Sequence, residues 1–270
     1  MEALAMLAGG AALLLGLCAL LYYNFAAATR CRNAVSLRGK TVLITGDYLF
    51  LNLPRQIYVQ TEPRLDILIN NAGVMTAGHT IDGFDEAFQV NHLAHFLLTH
   101  LLLDRLKRCA PSQVIILASI MHCVGKIDFQ TIHKPGKGLW QVINSYHDSK
   151  LANILHTREL ANRLEGTNVT CYAVHPGFVL TEMTHFYPPW MIWILKPFLQ
   201  DTNTGAQTTI FCATEEGIER LSGQYFADCR PKVPWPQARD DQMAELFWEF
   251  SEMLLGLTTP HGKGQGQSLG

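Results

Sequence analysis

The sequence predicts an α/β protein built on a Rossmann-like, doubly wound parallel sheet. Short unbroken apolar runs, such as residues 41–44 and 67–69, are typical of strands buried on both faces. Longer segments with helical spacing of apolar residues lie between such runs, and this alternation favours a parallel sheet covered by helices. Ligands of such sheets bind beyond the carboxyl ends of the strands.

The same patterns assign the elements in order. We predict strands at 40–44, 65–69, 114–117, 169–174 and 223–226, a helix over 84–107, a helix from Tyr146 to about Leu164, and a C-terminal amphipathic helix over 240–255. Gly73, Ser119 and Pro176-Gly177 follow three of these strands. We therefore expect these residues to meet at one edge of the sheet.

Residues 1–29 predict a membrane anchor. The uncharged run from Ala3 to Tyr23 is 21 residues long, about 31 Å as a helix, which is enough to span a bilayer. Arginine and lysine follow the run and only Glu2 precedes it, so the positive-inside rule places the following domain in the cytosol. A cleaved signal peptide ending near residues 26–28 is the alternative.

Composition fits one domain, which we place at residues 38–257, followed by a Gly- and Gln-rich tail at 258–270 that we predict to be disordered. The net charge of −2 indicates no nucleic-acid partner. Seven scattered cysteines without a C-x-x-C motif predict reduced thiols. Three histidines on one predicted helix lack acidic or cysteine co-ligands nearby, so no metal site is predicted.

Tyr146 and Lys150 form the most informative pair in the chain. Their i, i+4 spacing places both side chains on one helix face. A neighbouring ammonium favours the phenolate and lowers the pKa of a tyrosine, which can then exchange a proton with an alcohol oxygen. Because this spacing also arises by chance on helix surfaces, the pair gains its meaning from the other motifs.

Together the motifs resemble those of the short-chain dehydrogenases/reductases, in the branch of the retinol dehydrogenases. The resemblance rests on Asn70-Asn71-Ala72-Gly73, on the segment 90–99 around Asn91, on Ser119, on the segment 146–153 and on Pro176-Gly177. It implies a hydride transfer between a nicotinamide cofactor, NADP or NAD with NADP favoured by the branch, and an alcohol or carbonyl carbon. It also implies a homodimer formed through the Asn91 and Tyr146 helices.

The resemblance assigns roles residue by residue. It implies a catalytic set of Asn91, Ser119, Tyr146 and Lys150, and a cofactor-binding set of Gly46, Asn71, Ala72, Gly73, Tyr146, Lys150, Pro176, Gly177 and Thr181. Tyr146 is the implied acid/base and Lys150 its partner. Ser119 bonds the reacting oxygen, and the Asn91 backbone anchors a water near the lysine. The apolar segment 186–199, whose counterpart in the family covers the substrate pocket, and the membrane anchor predict a lipophilic substrate such as a retinoid, in the endoplasmic reticulum or another endomembrane. Packing of a C-terminal helix pair is the alternative role for this segment.

The sequence departs from this family after the first strand. The family's T-G-x-x-x-G-x-G turn lets the backbone approach a pyrophosphate, but here Thr45-Gly46 is followed by residues 47–54 (DYLFLNLP). Only 18 residues separate Gly46 from Leu65, which suits a single crossover. We therefore predict a truncated five-stranded sheet without family strands 2 and 3, in the order 1-4-5-6-7. The competing function is an inactive, membrane-tethered remnant that does not bind the dinucleotide.

Overall fold

The computed structural model describes residues 36–46, 62–76, 78–179 and 199–257. The predicted anchor (1–29), the predicted tail (258–270), the apolar segment 186–198 and Thr181 lie outside these residues. Within the described ranges, no helix has both the length and the apolar character needed to cross a bilayer.

The predicted α/β fold class is confirmed. A single sheet contains β1 (Val42–Ile44), β2 (Ile67–Asn70), β3 (Ser112–Leu117), β4 (Val169–His175), β5 (Tyr225–Ala227) and β6 (Arg230–Lys232), paired in that order. The first five described strands run parallel and β6 runs antiparallel to β5. Their carboxyl ends therefore share one edge of the sheet, where the sequence placed the site.

Helices cover both faces of this sheet. They are α1 (Glu86–Phe88), which continues through a π-helical segment (Gln89–Leu93) into α2 (Ala94–Arg108), then α3 (Leu139–Arg163), α4 (Thr202–Thr214) and α5 (Asp241–Leu254). On one face Leu68 and Val114 pack with Phe96 of α2 and Leu160 of α3. On the other, the next set of strand side chains packs around Cys212 of α4. The inner strands β2, β3 and β4 are apolar on both faces because both of their faces are buried, whereas Ile44 of β1 is exposed.

β1 is held on the sheet by its pairing and by one carboxylate. Val42 lies opposite Ile67 and Ile44 opposite Ile69, as predicted for residues 41–44 and 66–69. The buried Asp66 accepts a hydrogen bond from the Thr41 amide (2.8 Å) and pairs with Lys40 and Arg64. The predicted absence of family strands 2 and 3 falls on residues 47–61, outside the described residues, and stays a prediction.

The prediction of five strands is wrong by one, because β6 adds a short hairpin. Its turn residues Asp228 and Cys229 both have positive φ (53° and 54°), which is typical of a two-residue type I′ turn. The turn lacks the Asn-Gly signature, and β6 contains Pro231, so the sequence pattern did not indicate a strand. Cys229 is also disulfide-bonded, which makes the expectation of uniformly reduced thiols wrong at this position.

Candidate active site

Lys150 lies at the carboxyl end of β3, beside Tyr146. Its Nζ donates a hydrogen bond to the carbonyl of Leu117, the last residue of β3, over 3.2 Å. The same Nζ lies 5.4 Å from the centroid of the Tyr146 ring. Ser119 follows Leu117 by two residues. Helix α3 thus brings the predicted phenol and ammonium to the strand end from which the predicted serine emerges.

Burial sets the charge of this site. The side chain of Lys150 is only 4% exposed, and burial lowers its pKa to about 8, so the ammonium still predominates at pH 7. Burial also lowers the pKa values of His95 and His175 to about 4, and both rings are therefore neutral at pH 7. A cation beside the Tyr146 ring favours the phenolate, which is the form able to accept a proton.

Ser119 begins the 3₁₀ helix Ile120–Cys123 as its N-cap. Its extended backbone (φ −160°, ψ 160°) turns the chain out of β3, and its Oγ accepts a hydrogen bond from the Met121 amide over 3.2 Å. This bond does not use the hydroxyl proton of Ser119. The buried serine can therefore donate that proton to an oxygen of a substrate.

Asn91 connects the strand end of β2 to α3. Its Oδ1 accepts from the Val74 amide (2.7 Å), and its Nδ2 donates to the Val74 carbonyl (2.9 Å) and to the Ser149 hydroxyl (3.0 Å). A Cβ placed on Gly73 would lie 3.6 Å from both Asn91 Oδ1 and Lys150 Nζ. The π-helical turn at Asn91, a feature frequent at functional sites, thus holds the Gly73 backbone close to the lysine.

Asn153 is a site residue that the sequence analysis missed. Its Nδ2 donates to the carbonyls of Asn91 (3.0 Å) and Leu117 (2.9 Å), the latter shared with Lys150. Because His95 Nδ1 also bonds the Asn91 carbonyl (3.1 Å), two side chains of the protein occupy the oxygen that the resemblance reserves for a water. The spacing of Asn153, three residues after Lys150 on one helix face, is the signal that indicates it.

Thr45 organises the cofactor-side turn and was also missed. Its Oγ1 accepts from the amides of Asn71 (2.9 Å) and Ala72 (3.0 Å), and it contacts His95 Nε2 at 2.8 Å. Since His95 Nδ1 faces a carbonyl and carries the ring proton, Thr45 donates to Nε2. Gly46 has φ 108°, and a Cβ there would lie 2.9 Å from Asn71 Nδ2, so this contact requires glycine.

Pro176 and Gly177 end β4 at the same edge of the sheet. Gly177 has φ 92°, and a Cβ there would lie 2.5 Å from Gln200 Oε1. The turn is therefore in close contact with Gln200, which lies two residues before α4. The structure groups Gly46 with Asn71 and Ala72, and groups Gly73 with Asn91 and Lys150. Thr181 lies outside the described residues, so its cofactor role stays a prediction.

Comparison with known proteins identifies the lineage. The family model described as short chain dehydrogenase matches residues 41–191. Dehydrogenase/reductase SDR family member 13 of Homo sapiens is 40% identical, over 95% of this chain and 83% of that protein. Retinol dehydrogenase 12 of Homo sapiens is 47% identical, over 74% of this chain and 64% of that protein. A solved structure of an uncharacterised protein from Mycobacterium paratuberculosis superposes with a TM-score of 0.59 at 28% identity, covering 74% of this chain and 70% of that one.

The alignment with the SDR family member 13 protein is longer than this chain. It runs over 316 positions, whereas the chain has 270 residues, so at least 46 aligned positions have no counterpart here. By this family match and these identities, the chain belongs to the short-chain dehydrogenases, a family of NAD(P)-dependent oxidoreductases, in the branch that resembles the retinol dehydrogenases.

Proposed function

We propose that this chain is an NAD(P)-dependent oxidoreductase that acts on a lipophilic alcohol or carbonyl through Ser119, Tyr146 and Lys150. The observation that carries the proposal is the buried Lys150 ammonium, 5.4 Å from the Tyr146 ring at the strand end that leads to Ser119. A cation, a phenol and a hydroxyl in one partly dry site are suited to moving a proton to and from a substrate oxygen.

The described residues suit the nicotinamide-ribose side of the cofactor. Gly73 leaves the space of a side chain open beside Lys150, whose buried ammonium can donate to ribose hydroxyls. Gly177, with positive φ, offers a backbone surface after β4 without a side chain. On the pyrophosphate side, Gly46 is the one turn glycine that the described residues retain. Residues 47–54, which follow it, contain no further glycine. The fit is therefore good for one half of the cofactor and poor for the other.

The proton chemistry belongs to the protein. The bound nicotinamide would supply or accept the hydride. In carbonyl reduction, Tyr146 donates its phenolic proton to the substrate oxygen, while Ser119 donates a hydrogen bond to the same oxygen. Lys150 stabilises the phenolate that remains, and in alcohol oxidation the phenolate takes the proton back. Asn91 holds the Val74 backbone, and Asn153 bonds the Leu117 carbonyl that Lys150 also bonds, so the two side chains fix the position of the lysine.

A lipophilic substrate is supported by two features. Relatives of this chain bear the name retinol dehydrogenase, and the apolar segment 186–199 carries two tryptophans, although residues 186–198 lie outside those described. We propose a retinoid, sterol or long-chain aldehyde. NADP is proposed over NAD because of the branch alone. The residue that would read the ribose after family strand 2 is among those that we predict to be missing.

The second candidate function is a catalytically inactive, membrane-tethered remnant. It is favoured by Asp47 and the bulky residues that follow it after Gly46, and by the 46 or more alignment positions that have no counterpart in this chain. Both agree with our prediction of a truncated sheet in the family order 1-4-5-6-7. In this case the residues around Lys150 keep their folded arrangement, but the chain catalyses no reaction.

Calorimetric titration of the folded chain with NADPH and then NADH separates the two functions. The oxidoreductase predicts micromolar binding, tighter for NADPH, and reduction of all-trans-retinaldehyde. A folded sample that binds neither nucleotide would exclude the oxidoreductase and leave the remnant.

We further propose a single-pass protein of the endoplasmic reticulum or another endomembrane, anchored by residues 1–29, with a cytosolic domain that pairs as a homodimer and binds no nucleic acid. The sequon Asn168-Val169-Thr170 tests the topology, because Asn168 is exposed in the turn before β4. Protein made in microsomes should carry no sugar there. A glycan on Asn168 would place the domain in the lumen instead.

A further inference from the structure

The 3₁₀ helix that begins at Ser119 is held between two parts of the molecule. On one side it meets α3: a Cβ on Gly125 would lie 2.6 Å from the His147 carbonyl, and the Lys126 amide donates to Asp148 over 2.7 Å. On the other side it meets the segment 233–237, which follows β6. The second contact joins residues more than one hundred positions apart and is not part of the proposed catalytic set.

His122 makes that second contact. Its ring is fully buried, its Nδ1 lies 2.7 Å from the Ser119 carbonyl, and its Nε2 lies 3.1 Å from the Trp235 amide nitrogen. A carbonyl only accepts and an amide N–H only donates, so the ring must be neutral with its proton on Nδ1. Burial also lowers the pKa of His122 and favours this state. One imidazole and two hydrogen bonds thus connect Ser119 to Trp235.

Gln237 reinforces the contact. Its Nε2 donates to the carbonyls of His122 (3.3 Å) and Cys123 (2.8 Å). Together with the His122 ring, this fixes the backbone of residues 235–237 against the helix of Ser119. A backbone held in this way presents its side chains in a fixed position, which is a requirement for specific binding.

The side chains presented there are apolar and open to solvent. Val124 is 54% exposed, Val233 is 79% exposed and Trp235 is 53% exposed; we call these three residues the apolar rim. A single exposed apolar side chain needs no explanation, but three close to the hydrogen-bonded junction between Trp235 and the helix of Ser119 point to a ligand. The indole offers a flat apolar surface at low entropic cost.

We propose that the apolar rim is the entry wall of the substrate site, that Trp235 contacts the long apolar part of a lipophilic alcohol or aldehyde, and that His122 is the positioning residue that holds Trp235 relative to Ser119. The inference rests on the proposed function for its choice of ligand. The hydrogen bonds that fix the rim do not depend on the cofactor, so the rim can be tested in the absence of turnover.

The first experiment uses full-length chain in phospholipid nanodiscs, with NADPH and either all-trans-retinaldehyde or propanal. Trp235→Ala should raise KM for retinaldehyde about tenfold through lost apolar contact and leave propanal unchanged, because a three-carbon aldehyde does not reach the rim. Met253→Ala, an equally exposed apolar side chain on α5, is the matched control and should change neither. Equal effects of Trp235→Ala on both aldehydes would overturn the proposal.

The positioning role of His122 has its own signature. His122→Leu removes both ring bonds and should lower kcat for propanal as well, since the Ser119 carbonyl keeps only the backbone amide of residue 122 as a partner. His122→Gln, which keeps a donor and an acceptor, should restore part of kcat. Loss of thermal stability in both variants with kcat unchanged would show a structural role only and would contradict this half of the proposal.

Binding keeps the proposal separable from catalysis. All-trans-retinol is titrated without cofactor and followed by its own fluorescence anisotropy, with empty nanodiscs subtracted. One outcome is that the chain shows no turnover but binds retinol, and that Trp235→Ala weakens this binding about tenfold. That outcome would exclude the proposed oxidoreductase function and support the apolar rim as a binding surface. If the wild-type chain does not bind retinol, or if the Trp235→Ala variant binds it as tightly as the wild type, the proposal for the apolar rim is excluded, whether or not the chain shows turnover.

Discussion

The catalytic half and the cofactor-phosphate half of this molecule differ in how much of the family's apparatus they keep. Around Lys150, side chains from the strand ends, the π-helical turn and α3 share one hydrogen-bond network that includes Asn91, Ser149 and Asn153. On the phosphate side, the described residues retain Gly46 and Thr45, and the Thr45 hydroxyl oxygen accepts hydrogen bonds from the amides of Asn71 and Ala72. The residues proposed for acid/base chemistry are therefore positioned by hydrogen bonds among the end of β3, the π-helical turn and α3.

His95 links the two halves. Its Nε2 accepts from the Thr45 hydroxyl, and its Nδ1 donates to the Asn91 carbonyl. One neutral ring therefore connects Thr45 directly to the Asn91 carbonyl.

The largest effect is expected from Tyr146→Phe, which removes the hydroxyl that exchanges the proton. We expect turnover of retinaldehyde to fall about 10³-fold or more, with nucleotide affinity unchanged, in steady-state kinetics and calorimetry. Tyr172→Phe is the matched control, because its hydroxyl bonds the Ile218 carbonyl away from the site. That control should lose about 1 kcal/mol of stability and keep its turnover. Comparable kinetics in the two variants would contradict the assignment.

Lys150→Met should lower turnover about 10²-fold, since the phenolate loses its neighbouring cation. In the unaltered chain, the pKa of Lys150 of about 8 means that the ammonium is present below this pH and lost above it. Carbonyl reduction should therefore decline as the pH rises through about 8, as read from a pH–rate profile. Lys107→Met, an exposed lysine of α2, should leave the profile unchanged, and so it checks for effects of net charge.

Thr45→Val addresses the phosphate side. It removes the oxygen that accepts from Asn71 and Ala72, and we expect a loss of about 1–2 kcal/mol in urea unfolding, because both amides are partly solvated. Thr45→Ser keeps the hydroxyl and should restore most of this stability. Faster hydrogen exchange at the amides of Asn71 and Ala72 would locate the effect. Unchanged exchange there would show that the turn does not depend on Thr45.

The smallest effect is expected from Asp66→Asn, which weakens the attachment of β1. The Arg64 guanidinium, followed by the Thr41 amide and Lys40, holds the pKa of Asp66 well below its usual value despite burial. A carboxylate of this kind stabilises the fold above its unfolded pKa of about 4 and loses that contribution as the pH falls below it. We expect a difference of about 1 kcal/mol at pH 7 that shrinks towards pH 3. Asp104→Asn, on the exposed side of α2, should show no such difference.

Much of the fold could be predicted from the sequence because most of its strands are continuous apolar runs. The runs at 41–44, 67–69 and 114–117 are apolar on both faces, so the pattern indicates buried parallel strands without further information. The hairpin of β5 and β6 could not be predicted in this way, since the turn at Asp228-Cys229 uses uncommon residues and Pro231 interrupts the pattern. The π-helical turn at Asn91 has no sequence signal of its own.

The amino-acid sequence by itself determined the lineage, the α/β fold class and the residues proposed for proton transfer, because short motifs at strand ends carry that information locally. The tertiary structure decided which groups those residues meet. It placed Asn153 and His95 on the Asn91 carbonyl, joined Thr45 to His95, and set His122 between Ser119 and Trp235. The physical reason is that hydrogen bonds between distant segments depend on packing geometry, which no local pattern of side chains encodes.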